Sequence, residues 1–124
     1  MSDNPEFLIT LGHNKTNEKH ITLAFTLGLK AIEKGYRTAI LLLLDGVDVG
    51  RGGYVEDIDI GEPFLPVADM LEVFLSQGGE LLICGSCWKH AKLTDSDRLP
   101  GAKMTTADKV IDMLMDAKST IQLN

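Results

Sequence analysis

The sequence predicts an α/β domain with a mainly parallel sheet. Two observations support this prediction. Short apolar runs alternate along the chain with longer segments of helical spacing, which is typical of strand–helix–strand units. One run, Thr38 to Leu44, is almost continuously apolar, as expected for a strand covered on both faces. The 124 residues suit a single domain, 1–124, with one core.

The elements follow in order along the chain. Short apolar runs indicate the strands, whereas helices are indicated by a spacing of three to four residues between apolar side chains, with polar caps before them and glycines after them. Strands are predicted over Phe7–Leu11, Thr38–Leu44, Glu80–Ile83, Ala102–Thr105 and Thr120–Leu123. Helices are predicted from a cap at residues 14–17 to Lys34, over Val67–Gln77, from Trp88 onward, and after a cap at Thr105 or Thr106. The core-facing residues of the last helix are predicted to be Ala107, Val110, Ile111, Leu114 and Met115.

A long connection separates the second strand from the second helix. Gly46 to Gly53 is rich in glycine, and an acidic segment bounded by prolines continues to Pro66. The glycine-rich part lacks the Gly-Lys-Ser/Thr ending of a phosphate-binding loop and does not match the dinucleotide-binding fingerprint. Because loops of this length are usually functional or mobile, we expect a flexible loop near the site.

Charge and composition exclude several classes of protein. A net charge of −6 does not suit a nucleic-acid-binding protein, which needs clustered lysine and arginine for phosphate contacts. The N-terminal residues show no signal-peptide pattern, and the longest fully apolar run, Ala39 to Leu44, is too short to cross a bilayer. We therefore expect a cytoplasmic protein that binds neither nucleic acid nor membrane.

The two cysteines of the chain, Cys84 and Cys87, lie where the third strand should pass into a helix. At such a position the unpaired N–H groups and the positive pole of the helix stabilise the thiolate, which is the reactive form of cysteine. The spacing suits an attacking thiol with a resolving thiol, or two ligands of a metal. The alternative is a pair of buried cysteines acting as small apolar side chains.

Other polar residues fall near the predicted strand ends, where open parallel sheets bind ligands. Lys89 and His90 follow the cysteines, His13 follows the first strand, and Asp45 with Gly46 follows the second. We predict that these five residues bind substrate, with the cations stabilising charge on sulfur. Each of these residues also has a purely structural explanation. Lys89 and His90 would lie on a solvated helix face, His13 would form a hydrogen bond within its loop, and Asp45 with Gly46 would form a turn.

A metal or an organic cofactor is not expected. A closed zinc site needs four ligands, and the chain has neither a second Cys-x-x-Cys pair nor a His-x-x-x-His spacing. Sulfur or redox chemistry is therefore favoured over metal binding.

Three segments together resemble the DsrE/DsrF-like (YchN-like) family of small sulfur-relay proteins. They are Leu44-Asp-Gly-Val47, Gly53-Tyr54, and Gly78-Gly-Glu-Leu-Leu-Ile-Cys-Gly-Ser-Cys87. The resemblance implies an α/β/α fold with a five-stranded parallel sheet, assembled as trimers, hexamers or other homo-oligomers. It also implies that Cys84 matches the cysteine that carries sulfur as a persulfide. The chain departs from the family pattern at Ala91-Lys92, where relatives often have Arg-Gly.

These observations together predict a cytoplasmic sulfur carrier or sulfurtransferase-like protein. Cys84 would accept sulfane sulfur, Cys87 would resolve the persulfide, and the partners would be sulfur-donor or sulfur-acceptor proteins. Two alternatives remain. One is a non-catalytic regulatory or scaffold oligomer with redox-sensing or inert thiols, and the other is a thiol–disulfide oxidoreductase.

Overall fold

A computed structural model of the chain confirms the α/β fold with a parallel five-stranded sheet. It describes residues 3–124, so the first two residues of the predicted domain 1–124 lie outside the described residues. The strands are ordered β4-β3-β2-β1-β5, and all four neighbouring pairs are parallel. The elements are β1 Phe7–Leu11, α1 Glu18–Glu33, β2 Thr38–Leu42, α2 Val67–Ser76, β3 Glu80–Cys84, α3 Gly85–His90, β4 Lys103–Thr105, α4 Ala107–Asp116 and β5 Ser119–Leu123.

Helices pack against both faces of the sheet, and the alternation of side chains along each strand produces two apolar clusters. On the first face, Ile9 and Ile40 pack beneath α1 and α2, whose Phe25 and Phe74 rings meet edge to face at a centroid distance of 6.3 Å. On the second face, Leu8 and Leu41 belong to a smaller cluster with α4. Every residue of β2 is buried, as its continuous apolar run predicts.

Apart from β1, which has the predicted bounds, the elements differ from the predicted boundaries by one to three residues. The second strand ends at Leu42 rather than Leu44, because the chain turns into a 3₁₀ stretch at Leu44–Gly50. The third strand includes Cys84, and α3 begins directly after it at Gly85 rather than at Trp88. The predicted helix caps at Asn14 and Thr106 are present, in a short 3₁₀ turn before α1 and at the start of α4.

The predicted inner face of α4 is wrong in part. Ala107, Ile111 and Met115 were expected to face the core, but Ala107 is exposed, and Ile111 and Met115 are 58% and 80% exposed. The buried residue of this helix is Met113, flanked by Val110 and Leu114 at half-buried positions. The helix is therefore rotated relative to the prediction, and it presents an apolar pair one turn apart to solvent.

The long connection after β2, which was predicted to be a flexible loop near the site, packs against the rest of the domain. Its backbone pairs with residues near β4, since the Leu99 N–H donates to the Gly50 carbonyl at 2.8 Å. Val55 and Ile58 are buried in the first cluster. An ion pair of 2.8 Å between Lys15 and Asp57 joins the connection to the start of α1. These anchors hold the glycine-rich segment against the carboxyl ends of the strands.

None of the helices formed by residues 3–124 combines the length and the apolar character that crossing a bilayer requires.

Candidate functional site

The two cysteines lie at the carboxyl end of β3, as the sequence predicts. Cys84 is the last residue of the strand and the N-cap of α3, and Cys87 lies within the first turn of that helix. Both are free thiols and both are half-buried. Gly85 permits this tight passage from strand to helix, because a Cβ atom there would lie 3.1 Å from the Thr105 carbonyl oxygen at the end of β4.

The Cys87 sulfur receives a backbone hydrogen bond from the neighbouring strand end. The Leu44 N–H donates to Cys87 Sγ with a nitrogen–sulfur distance of 3.2 Å. Leu44 adopts a φ of +53°, which costs a leucine on the order of 1–3 kcal/mol and is typical of functional sites. Its side chain is 66% exposed, so burial does not explain the conformation. The sequence held no signal for this donor, since leucine is not a residue that favours the left-handed region.

The surroundings of Cys87 favour its protonated form. Burial raises the pKa of the Cys87 thiol above its ordinary value, and interaction with the neighbouring Cys84 side chain raises it further. The Leu44 hydrogen bond acts in the opposite direction and lowers this pKa, but it does not reverse the net shift. We therefore expect a thiol rather than a thiolate at Cys87 at neutral pH, in contrast to the expectation that nearby cations lower the pKa of this cysteine.

A cleft of about 480 Å³ opens beside this thiol, between the 3₁₀ stretch and α3. It brings together three of the predicted site residues, Asp45, Cys87 and His90. The other lining residues were not predicted as site residues, although all of them except Asp48 are next to a predicted one in the sequence. The lining residues are Leu44, Asp45, Val47, Asp48, Ser86, Cys87, His90 and Ala91.

The remaining predicted site residues lie outside the lining of the cleft. Lys89 is exposed on α3, and Gly46 is buried against the Leu11 carbonyl at the end of β1. His13 lies against His20 of α1, with ring centroids 4.5 Å apart and an interplanar angle of 57°. Cys84 is adjacent to Cys87 and contributes to its pKa shift rather than to the wall of the cleft.

One carboxylate of the cleft, that of Asp48, has local partners. Asp48 accepts a hydrogen bond from the Asn14 side chain at 3.2 Å and lies 3.5 Å from the Arg51 guanidinium. Within residues 3–124, no three side chains of histidine, cysteine, aspartate or glutamate are grouped so that they could hold a metal ion. The site as described therefore offers two thiols, a backbone donor, an imidazole and carboxylates for chemistry on sulfur.

Comparison with known proteins identifies the family. The DsrE/DsrF-like family matches residues 6–123, which is nearly the whole chain. The chain belongs to the DsrE/DsrF-like family. The match spans every strand of the sheet and the β3–α3 junction that holds both cysteines. The resemblance drawn from the three segments of the sequence is thereby confirmed.

Individual relatives agree with this membership. An uncharacterized protein of Methanopyrus kandleri, MK0008, is 28% identical over 98 residues, which cover 79% of this chain and 77% of that protein. The crystal structure of the YchN protein from E. coli superposes with a TM-score of 0.71 at 17% identity, covering 94% of this chain and 97% of YchN. A protein of unknown function from Methanobacterium thermoautotrophicum, MTH1491, gives a TM-score of 0.68 at 14% identity, covering 94% and 95% of the two chains. At these identities the two structures support the fold alone.

Proposed function

We propose that the protein is a cytoplasmic sulfur-relay protein that carries sulfane sulfur as a persulfide on Cys84, with Cys87 as the resolving thiol. The observation that carries the proposal is the pair of free, half-buried thiols one helical turn apart, beside an open cleft at the carboxyl end of β3. Membership of the DsrE/DsrF-like family supports it. Free thiols at this spacing suit a reducing compartment.

Sulfur uptake is a thiol exchange reaction in this proposal. The thiolate of Cys84 attacks the outer sulfur of a donor persulfide, and a new sulfur–sulfur bond forms at Cys84. The bond between the two donor sulfurs breaks, and the donor leaves as a thiolate. Cys84 is well placed for this step, because it lies at the N-cap of α3 and remains partly exposed.

Release follows one of two routes. In the first, the thiolate of an acceptor protein attacks the outer sulfur and takes it away, which regenerates Cys84. In the second, the Cys87 thiolate attacks the inner sulfur, so a Cys84–Cys87 disulfide forms and HS⁻ leaves. The two cysteine sulfurs are oxidised by two electrons while the sulfane sulfur is reduced to sulfide. A protonated Cys87 suppresses the second route at neutral pH, which favours delivery to an acceptor.

Mass spectrometry after exposure to a sulfur donor tests the proposal. We expect the intact protein incubated with glutathione persulfide to gain about 32 Da, the mass of one sulfur atom. Fragmentation of the proteolytic peptide that contains both cysteines should locate this mass on Cys84. If no adduct forms, or if the mass lies on Cys87 alone, Cys84 is not the carrier. A reversible disulfide without prior sulfur uptake would instead favour a thiol–disulfide oxidoreductase.

We also propose that the protein forms a homo-oligomer in which a second copy covers the exposed face of α4. Ile111 and Met115 form an exposed apolar pair on that face. The family resemblance implies homo-oligomers, and exposed apolar patches commonly mark subunit contacts. This surface would also serve the alternative function, a regulatory or scaffold oligomer with inert thiols.

The oligomer is tested by a charge placed in that apolar pair. We expect Ile111→Asp to shift the protein to a smaller species in sedimentation velocity, because a carboxylate cannot be desolvated in an apolar contact without a large cost. Val73→Asp is the matched control, since Val73 is also an exposed branched apolar residue but lies on α2, which packs on the other face of the sheet. An Ile111→Asp protein that keeps the size of the unmodified protein would show that this face is not the contact.

A further inference from the structure

A second cleft lies at the opposite edge of the sheet, where the strands begin. It encloses about 440 Å³ and is unrelated to the cysteines. Its apolar wall is formed by Phe7 of β1, Leu27 and Ala31 of α1, and Tyr36 in the turn before β2. This volume lies in the range of sites that bind small organic molecules.

The position of the cleft follows from how α1 meets the sheet. Leu27, Ala31 and Lys34 recur at intervals of four and three residues, so they share one side of the helix. Phe7 is in register with Ser119 of the edge strand β5, and both residues line the cleft. The cleft is therefore the corner between the last turns of α1 and the start of the edge strand.

The charges at this corner differ in sign from the charge of the whole chain. Lys30, Lys34 and Lys118 line the cleft, and the Arg37 guanidinium lies 3.6 Å from the carboxylate of Glu6, another lining residue. Glu6 also pairs with Lys118 at 2.9 Å.

Some positive charge remains after these pairs are counted. Lys30 pairs with Glu33 at 3.0 Å, so the four cations at the corner face two carboxylates. Lys34 makes no ion pair with any residue in the described range 3–124. The corner thus carries a local excess of positive charge on a chain whose net charge is −6.

We propose that this corner binds a small amphipathic anion, a monocarboxylate with a medium-length apolar chain. The apolar chain would lie against Phe7, Leu27 and Ala31, and the carboxylate would lie at the Lys30–Lys34 end. The apolar wall matches the hydrocarbon chain of such a ligand, and the unpaired ammonium group of Lys34 matches its carboxylate. The proposal is independent of the sulfur chemistry, because the site occupies the amino ends of the strands and the cysteines occupy a carboxyl end.

Calorimetric titration with a series of six- and eight-carbon probes tests the ligand class. We expect octanoate to bind at one site with a dissociation constant on the order of 1 mM or tighter. Hexanoate should bind roughly tenfold more weakly, because two fewer methylenes are buried. Octylammonium, with the same apolar chain and the opposite charge, should not bind measurably. Equal binding of octanoate and octylammonium, or no saturable binding of octanoate, would overturn the proposal.

Two variants locate the site and exclude other occupants. Lys34→Glu should weaken octanoate binding about tenfold or more, since it replaces the unpaired cation with a carboxylate. Lys19→Glu is the matched control, because it makes the same charge change on α1 about 22 Å away along the helix. Equal effects of the two variants would show that the charge of the whole chain, not this corner, attracts the anion. The protein could also prove to be a dimer that octanoate leaves intact and that the Lys34→Glu substitution dissociates. That result would assign the corner to a second copy of the chain and overturn the proposal.

Discussion

Replacing Gly46 with alanine is expected to lower the free energy of unfolding by about 3 kcal/mol or more. A Cβ atom at this position would lie 2.1 Å from the Leu11 carbonyl oxygen and 2.9 Å from its carbonyl carbon. Both contacts are with backbone atoms at the end of β1, which pairs with β2 and β5 and cannot move aside. The added methyl group must therefore displace the turn after β2 or break the strand pairing.

Gly52→Ala is the control for this substitution. Gly52 lies six residues further along the same connection, and a Cβ atom there would meet nothing within 4 Å. We expect its free energy of unfolding, measured by urea denaturation, to change by less than about 1 kcal/mol, with alanine stabilising slightly by restricting the unfolded chain. Similar midpoints for Gly46→Ala and Gly52→Ala would show that the close approach to Leu11 is not required.

The close approach at Gly46 also positions the functional cleft. Gly46 separates Asp45 from Val47, which both line the cleft, and its N–H donates to the Leu43 carbonyl at 2.8 Å. This turn presents the Leu44 N–H to Cys87. A Gly46→Ala protein that still folds should therefore show altered thiol reactivity as well as lower stability.

The architecture was predictable because each element carries its own periodic signal. The strand β1 has the predicted bounds, and the buried β2 was evident from its apolar run. The inner face of α4 was not predictable, because apolar residues occupy too wide an arc. Val110 and Leu114 fit a core stripe with Ile111 and Met115 as well as they fit one with Met113. Contact with the sheet selects Met113, and propensity alone cannot make that choice.

In the candidate site, only the residues that directly follow adjacent strands could be predicted to meet. Asp45 and Cys87 follow adjacent parallel strands, so their meeting follows from the fold. The direction of a loop after its strand is not encoded in periodicity, and a 3₁₀ turn at residues 15–17 leads the chain from His13 into α1. The Leu44 hydrogen bond involves a backbone N–H, which residue types do not reveal.

The two cysteines should have separable roles in sulfur transfer. After exposure to glutathione persulfide, Cys84→Ser should gain no adduct of about 32 Da and should release no sulfide. Cys87→Ser should keep the adduct on Cys84 and release sulfide at least about 100-fold more slowly, because the neighbouring thiol has a high effective concentration. Ser86→Ala is the matched control, since Ser86 lines the same cleft between the two cysteines.

The pH dependence of sulfide release separates a resolving thiol from a bystander. Attack by Cys87 requires its thiolate, and burial with the Cys84 neighbour raises the pKa of Cys87. In the unmodified protein, sulfide release without an acceptor should therefore be slow at neutral pH and keep rising above about pH 8.5, where an ordinary thiol begins to level off. Cys87→Ser should lose this rise while Ser86→Ala retains it. A Cys87→Ser protein with the unmodified rate and pH profile would exclude Cys87 as the resolving thiol, whereas a Cys84→Ser protein with the full adduct would exclude Cys84 as the carrier.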